Sequence, residues 1–322
     1  MRTSEMSEES NELKKHEMSL VGIHLRLSEF NRTRLEPRLP SFEWRAELES
    51  EAWTRTLENQ MLETEISFIR PLLENLPLEA DEFMAWFEAL RHTGPGQNDA
   101  LFDWLEESAN RDEMTWFIRQ EVAGEAGFED LTAMTQVKMP IRPKLELARN
   151  YWDEMGRGNE KGMHGPMLSA LAKELEIQPP SVRETMPEAA ALGNLMMAMA
   201  MNRRYAYHSA GALGVIELTA PGRALKVYRG LKRLGISPEA QRYYLIHSSL
   251  DIKHSEAWNA EVLFPLVSEN PELARPIAEG ALLRLNAGKR CFERYRHELW
   301  GETLEKADSS TTLKALRQKS FR

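Results

Sequence analysis

The sequence predicts an all-α protein, and two observations favour that fold class. Helix-forming residues dominate the 322-residue chain, whereas runs that alternate β-branched and polar residues are almost absent. The sequence contains no convincing pair of strands and no internal repeat of fixed period. Long stretches instead carry apolar residues at helical spacing, at 41–76, 238–267 and 269–300.

A clear loop separates the first two predicted elements. We expect Ser41 to cap the helix over 41–76, because its hydroxyl can accept a hydrogen bond from a backbone N–H group of the first turn. The glycines and the proline of RHTGPGQND, residues 91–99, end the helical pattern before them. Asp99 closes this loop and is expected to cap the next helix.

The later elements follow two further breaks, MPIRPK at 139–144 and EIQPPS at 176–181. We expect one continuous helix over 238–267, with Ser237 as its cap and a proline in its first turn. The helical pattern that follows is expected to kink near Pro276.

Loops and composition divide the chain into three predicted regions. These are an N-terminal helical extension (1–95), a main bundle (100–305) and a polar C-terminal tail (306–322). The tail ends in KALRQKSFR, which is basic but short, as is typical of a solvated segment.

Charge and composition exclude several classes of function. The chain has 41 basic and 50 acidic residues and a net charge of −9, so we expect neither a nucleic-acid partner nor an anionic membrane surface. No run of about 18 apolar residues predicts a membrane span, and the polar N-terminus has no apolar signal core. Cys291 is the only cysteine, which excludes an intrachain disulfide and a thiolate metal cluster. We therefore expect a cytoplasmic protein.

The stretch HSSLDIKH places His247, Asp251 and His254 close together in sequence. On a continuous helix, Asp251 would lie about 40° from His247, and His254 about 20° to the other side. The surrounding residues are apolar, and burying these side chains without partners would cost several kcal/mol unless a metal bound them. The alternative is that they face solvent or that Asp251 and His254 form a simple pair.

A second stretch, NYWDEMGRGNEKGMHGPML, offers Glu154, Glu160 and His164. Ten residues separate Glu154 from His164, which would leave an offset of about 80° on a regular helix. A break at the glycines of 156–162 would close that offset. Glu160 and His164 form a rival pair that needs no break.

A third stretch, SAGALGVIELTAPGR, presents a single carboxylate, Glu217, in an apolar helical run that Pro221 ends or kinks. A lone buried glutamate is costly unless it is paired or bound to a metal. The structural alternative is an ion pair with Arg203, Arg204 or Arg223.

Together these stretches offer three carboxylates, three histidines and no cysteine, which suits a two-iron or two-manganese site in a helical bundle. The sequence has no Glu-x-x-His motif, which disfavours a ferritin-like protein. It also lacks HExxH, which disfavours a zinc hydrolase.

The ordered trio of motifs resembles the haem-oxygenase-like diiron oxidases and oxygenases, the iron-containing redox enzymes, over about residues 110–300. The resemblance implies an all-α, haem-oxygenase-like helical bundle, here with an additional N-terminal helical region. The ligands it implies are Glu154, His164, Glu217, His247, Asp251 and His254. Glu160 stays open as a substitute for Glu154, and Glu121 as an extra ligand from an upstream helix.

The resemblance also implies an enzyme: a non-haem diiron oxygenase or oxidase with two Fe ions (Fe²⁺/Fe³⁺), O2 as co-substrate and no haem. We expect N-oxygenation of a small nitrogen-containing metabolite in specialised metabolism. Two alternatives stay open, oxidative C–C cleavage of an amino or fatty acid and a metal-free helical binding protein. A small-molecule substrate, an external electron donor and a homodimer are the expected partners. A substrate carboxylate would need a cation, and the candidates are Arg203, Arg204, Arg223 and Lys253.

Overall fold

The structure of the protein, a computed structural model, describes residues 20–40, 42–124, 127–178, 181 and 183–319. Over these residues the chain is all-α, and its one β contact is an isolated bridge between Met155 and Met163. The predicted fold class is confirmed. The predicted cap Ser41 lies outside the described residues.

Helices follow one another along the chain with short connections. The α-helices of the described residues are α1 (Leu20–Leu35), α2 (Trp44–Ile69), α3 (Ala80–Thr93), α4 (Ala100–Glu107), α5 (Arg111–Gly124), α6 (Phe128–Thr135), α7 (Ile141–Glu154), α8 (His164–Glu174), α9 (Pro187–Met201), α10 (Ala206–Arg233), α11 (Arg242–His247), α12 (Leu250–Trp258), α13 (Phe264–Glu269) and α14 (Ala274–Lys319). Short 3₁₀ turns lie at Arg70–Leu73, Gly156–Gly158, Glu160–Gly162, Arg203–Tyr205 and Pro271–Leu273, and a π-helical turn lies at Asn259–Leu263.

The centre of the molecule is the crossing of α10 and α14. A Cβ atom added to Gly211 of α10 would overlap the carbonyl oxygen of Ile277 in α14, and one added to Gly280 would overlap that of His208. Only glycine fits these two positions, because the two helix backbones lie in contact there. The close crossing fixes α10, which carries Glu217, against the rest of the core.

The N-terminal helices pack onto the same core. Leu62 of α2 and Phe83 of α3 are fully buried in it. Asn194 of α9 accepts a hydrogen bond from Asn31 Nδ2 of α1 at 2.8 Å and donates one to the carbonyl oxygen of His24 at 3.0 Å. The boundaries of the three predicted regions stay a prediction.

Two predicted helix starts behave differently. The Asp99 side chain accepts a hydrogen bond from the backbone N–H of Leu101 at 3.0 Å, so its predicted cap at α4 is confirmed. Ser237 Oγ accepts one from the backbone N–H of Ala240 at 3.3 Å and thus caps only a turn that precedes α11.

The continuous helix predicted over 238–267 is wrong. α11 ends at His247, Ser248 and Ser249 form a turn, and α12 begins at Leu250. The expected kink at Pro276 is also wrong, because α14 begins at Ala274 and the proline lies in its first turn, where it displaces no hydrogen bond. Across the described chain, no helix combines the length and apolar character needed to cross a membrane.

Candidate metal centre

The three sequence motifs converge at one place in the bundle. One ligand atom each from Glu154, His164 and His247 lies within 4.8 Å of the others, and the same holds for Glu154, Glu217 and His254. Glu154 belongs to both groups. Asp251 lies close enough to Glu154 and Glu217 for their charges to act on its carboxyl group. The structure therefore brings all six predicted side chains together.

The junction of α7 and α8 places Glu154 beside His164. α7 ends at Glu154, and the chain turns back through Gly156, whose φ is +62° and whose added Cβ would overlap the backbone of Gly162. The returning chain begins α8 at His164, so that the imidazole Nδ1 contacts Glu154 Oε2. The predicted break at the glycines is confirmed.

The same geometry separates Glu160 from the site. Glu160 lies in the second 3₁₀ turn of the junction, is exposed and belongs to neither group. Because the chain between Glu160 and His164 is not α-helical, the two side chains do not share a helix face. Among the two alternatives, Glu154 is the residue that the fold places in the cluster.

Glu217 lies on the buried face of α10 and is 2% exposed. Asn150, one turn before Glu154 in α7, donates a hydrogen bond from Nδ2 to Glu217 Oε1 at 2.6 Å. In the described chain Glu217 forms no ion pair with Arg203, Arg204 or Arg223, so that alternative is wrong. Arg203 instead donates to backbone carbonyl oxygens, among them that of Met134 at 2.8 Å.

His247 is held in one orientation by the backbone. It is the last residue of α11, and its Nδ1 donates a hydrogen bond to the carbonyl oxygen of Tyr243 at 2.7 Å, which leaves Nε2 as the nitrogen available to a metal. Burial, together with the nearby His164, lowers the pKa of His247 to about 4. The imidazole is therefore neutral at physiological pH, the form that binds metals.

His254 is oriented by a carboxylate on its far side. Its Nδ1 lies 3.5 Å from Glu217 Oε1 and 3.7 Å from Glu154 Oε1, and its Nε2 lies 3.3 Å from Asp153 Oδ2. Arg157 Nε in turn donates to Asp153 Oδ1 at 2.6 Å. Burial alone would lower the pKa of His254, but the hydrogen bond and charge of Glu217 outweigh it and raise this pKa to about 9. Asp153 belongs to the second sequence motif, beside Glu154, but the sequence alone assigned it no role.

Asp251 supplies the observation that tests whether a metal fits. Its side chain is 2% exposed, and Oδ1 has no hydrogen-bond partner in the described part of the chain. Burial and the charges of Glu217 and Glu154 raise the pKa of Asp251 well above its usual value. Three close, buried carboxylates repel one another, and a cation among them removes that cost. Carboxylate and imidazole donors without thiolates fit iron.

A comparison with known families gives this cluster its context. The family model of iron-containing redox enzymes matches residues 115–289, more than half of the chain. The chain belongs to this family. A search of curated proteins found no match. The predicted resemblance is thereby confirmed, and all six candidate ligands lie within the matched residues.

In this iron-containing redox enzyme, the cluster lines a cavity of about 280 Å³. Its walls are largely aromatic and aliphatic, with Phe102, Phe117, Phe292, Leu168, Val227 and Ile216 among the residues that line it. Arg223 lines the cavity, whereas Arg203, Arg204 and Lys253 are exposed at the surface and do not line it. Glu121 also lines the cavity but belongs to neither ligand group, so its role as an extra ligand stays a prediction.

Proposed function

We propose that this chain is an O2-activating non-haem diiron oxygenase that N-oxygenates a small nitrogen-containing metabolite. One observation carries the proposal: Glu154 is shared by two groups of potential metal ligands. A carboxylate common to two groups of ligands would help to hold two ions, and two ferrous ions together would be able to supply two electrons to O2.

The ligands divide around Glu154. With Glu154, His164 and His247 would hold one ion, and Glu217 and His254 would hold the other. Asp251, buried beside Glu154 and Glu217, would complete the set. When bound, two ferrous ions together supply two electrons to O2.

The protein's own groups fix the ligands before any metal binds. The Tyr243 carbonyl orients His247, Asp153 orients His254, and Asn150 orients Glu217. Supporting contacts of this kind set the tautomer of a histidine and the direction of a carboxylate, and they strengthen metal binding. The apolar cavity wall excludes water from the reacting groups.

The proposed reaction places one oxygen atom of O2 in an N–H bond of the substrate, which becomes N–OH. The second oxygen atom leaves as water and takes up two protons and two electrons. Those electrons come from an external reductant, so the proposal includes an electron-donor partner.

A second candidate function is oxidative cleavage of a C–C bond in an amino or fatty acid by the same site. The observation that favours it is Arg223, a cation in the cavity wall that could bind a substrate carboxylate. The products separate the two: N-oxygenation adds one oxygen atom to the substrate, whereas cleavage removes part of its carbon skeleton.

The test is iron content after anaerobic loading with Fe(II) and desalting, followed by O2 exposure with absorbance monitoring. We expect about two irons per chain and an O2-dependent absorbance change. His247→Ala should lower the content to about one iron, because it removes a ligand of one group only, and Glu217→Ala should do the same for the other group. Both should abolish the absorbance change.

Glu160→Gln is the matched control, because Glu160 is an exposed neighbour outside both groups. It should behave as the parent protein. If the parent binds no iron, shows no change with O2 and cannot be told from His247→Ala, the oxygenase proposal fails and a metal-free helical binding protein is the better description.

A further inference from the structure

The wall of the cavity contains the guanidinium group of Arg223, whose hydrogen bonds go to neutral groups. Arg223 Nη1 donates to Gln97 Oε1 and Nη2 donates to Thr219 Oγ1, both at 3.2 Å. Its guanidinium carbon lies over the rings of Phe102 and Phe292, at 5.8 and 5.6 Å from their centroids. The carboxylates of Glu121 and Asp99 act on Arg223 through their charges, and Asp99 is itself paired with Arg296.

A second cation lies near this group. Arg284 of α14 also lines the cavity, and burial together with the charge of Arg284 lowers the pKa of Arg223 to about 10. Arg223 nevertheless remains a cation at neutral pH. Because its hydrogen bonds go only to neutral groups, a carboxylate bound in the cavity would give Arg223 a charged hydrogen-bond partner.

The two charged ends of the cavity are separate. Arg223 follows Glu217 by six residues in α10, which is about 9 Å along the helix axis. The groups that shift the pKa of Asp251 are Glu217 and Glu154, and neither arginine is among them. The cavity is therefore lined by the metal-ligating carboxylates and, displaced from them along α10, by Arg223 with Arg284, and we call this second part its basic end.

We propose that Arg223 binds a carboxylate of the substrate and holds it at the basic end, so that the opposite end of the molecule reaches the ligand cluster. A planar guanidinium can bind a carboxylate through two parallel hydrogen bonds, and Thr219 and Gln97 hold Arg223 in place. This inference rests on the proposed function. It favours oxidation at a position remote from the carboxylate, whether a nitrogen or a distant C–C bond, over removal of the carboxyl carbon.

The test measures ligand binding to the metal-free full-length protein by titration calorimetry at neutral pH. Hexanoate carries a carboxylate on an apolar chain, and hexanol and hexylamine match its length without that group. We expect hexanoate to bind at least about 10-fold more tightly than hexanol. Arg223→Gln should raise the Kd of hexanoate about 10- to 100-fold and leave that of hexanol unchanged.

Two further variants sharpen the test. Arg229→Gln makes the same chemical change on an exposed residue of α10 and should leave every Kd unchanged. Arg223→Lys keeps the charge but loses the fork of donors, so the Kd of hexanoate should fall between those of the parent and Arg223→Gln. Thermal melts check that each variant is folded. If Arg223→Gln is unfolded, the comparison of the parent with Arg223→Lys tests the inference instead.

Three results would overturn the inference. One is that the parent binds hexanoate no better than hexanol, and another is that neither Arg223 variant changes its Kd. The third is that Asp251→Asn tightens hexanoate binding while Arg223→Gln does not weaken it, which would place the carboxylate at the ligand cluster. Because the assay needs neither iron nor O2, its failure is independent of a failure to bind two irons.

Discussion

The two ends of the cavity bury charge of opposite sign in different ways. At the ligand cluster, three carboxylates lie close together, and histidines, amide groups and Asp153 fix their surroundings. At the basic end, the hydrogen bonds of Arg223 go to neutral groups, although the charges of Glu121 and Asp99 also act on it. The carboxylate cluster favours a bound cation, and a substrate carboxylate would give Arg223 a charged hydrogen-bond partner. A molecule with an anionic end would thus enter in one orientation.

The two ends share a rigid connection. Glu217 and Arg223 both project from α10, which is fixed against α14 by the close contact at Gly211. A substrate held at one end is therefore held at a set distance from the other. Two variants and one chemical modification test how far the two ends differ.

The largest effect is expected for Glu154→Gln. Because Glu154 belongs to both ligand groups, its loss should reduce bound iron from about two per chain to almost none, whereas His247→Ala should leave about one. Iron content after anaerobic loading measures this. Retention of one iron by Glu154→Gln would show that the two groups do not share this carboxylate. Hexanoate binding should be unchanged, because the basic end is intact.

The next effect concerns Cys291, which lines the cavity with Arg284 and Arg223. Nearby cations favour a thiolate, but burial, together with the charge of Glu121, outweighs them and raises the pKa of Cys291 from 9.0 to about 12. At pH 8 the native protein should react with iodoacetamide about 1000-fold more slowly than an exposed cysteine whose pKa is 9.0. The reason is that each pKa unit changes the thiolate fraction about tenfold.

Mass spectrometry can follow this reaction without ambiguity, since the chain has a single cysteine. The rate should rise with pH through the alkaline range, as the thiolate fraction grows. Unfolding in denaturant should restore ordinary reactivity. Rapid alkylation of the folded protein at pH 8 would mean that the basic end is more open to water than the structure indicates.

Sequence analysis was most successful where the residue types of a motif indicate one kind of chemistry. The residue types and order of the three motifs identified the family, and the glycines after Glu154 predicted the break that the structure contains at 156–162. The all-α class followed from helical periodicity. These features depend on residues that are close together in the sequence, so one sequence is enough to recognise them.

Sequence reasoning failed where tertiary packing decides. Ser248 and Ser249 interrupt the helix between His247 and Asp251, but serine is only a weak helix breaker, and both flanks have helical patterns. Arg203 and Arg223 looked alike as candidate cations, yet one binds backbone carbonyls at the surface and the other lines the cavity. Nothing local in the sequence separates these two arginines.

The smallest effect is expected at Asp153, which contacts His254 from outside the ligand groups. Asp153→Asn should weaken iron binding about 10- to 100-fold, because an amide orients the imidazole less strongly than a carboxylate does. Titration of Fe(II) under anaerobic conditions measures the affinity. The melting temperature of the metal-free protein should change little, which separates a positioning role from a structural one.

Asp112→Asn is the matched control, since Asp112 is an exposed residue of α5. Arg157→Gln should have a weaker effect in the same direction as Asp153→Asn, because Arg157 acts on His254 only through Asp153. Unchanged iron affinity in Asp153→Asn would show that Glu154 and Glu217 alone suffice to orient His254. A loss in Asp153→Asn that leaves hexanoate binding intact would instead show that the two ends of the cavity are assembled independently of each other.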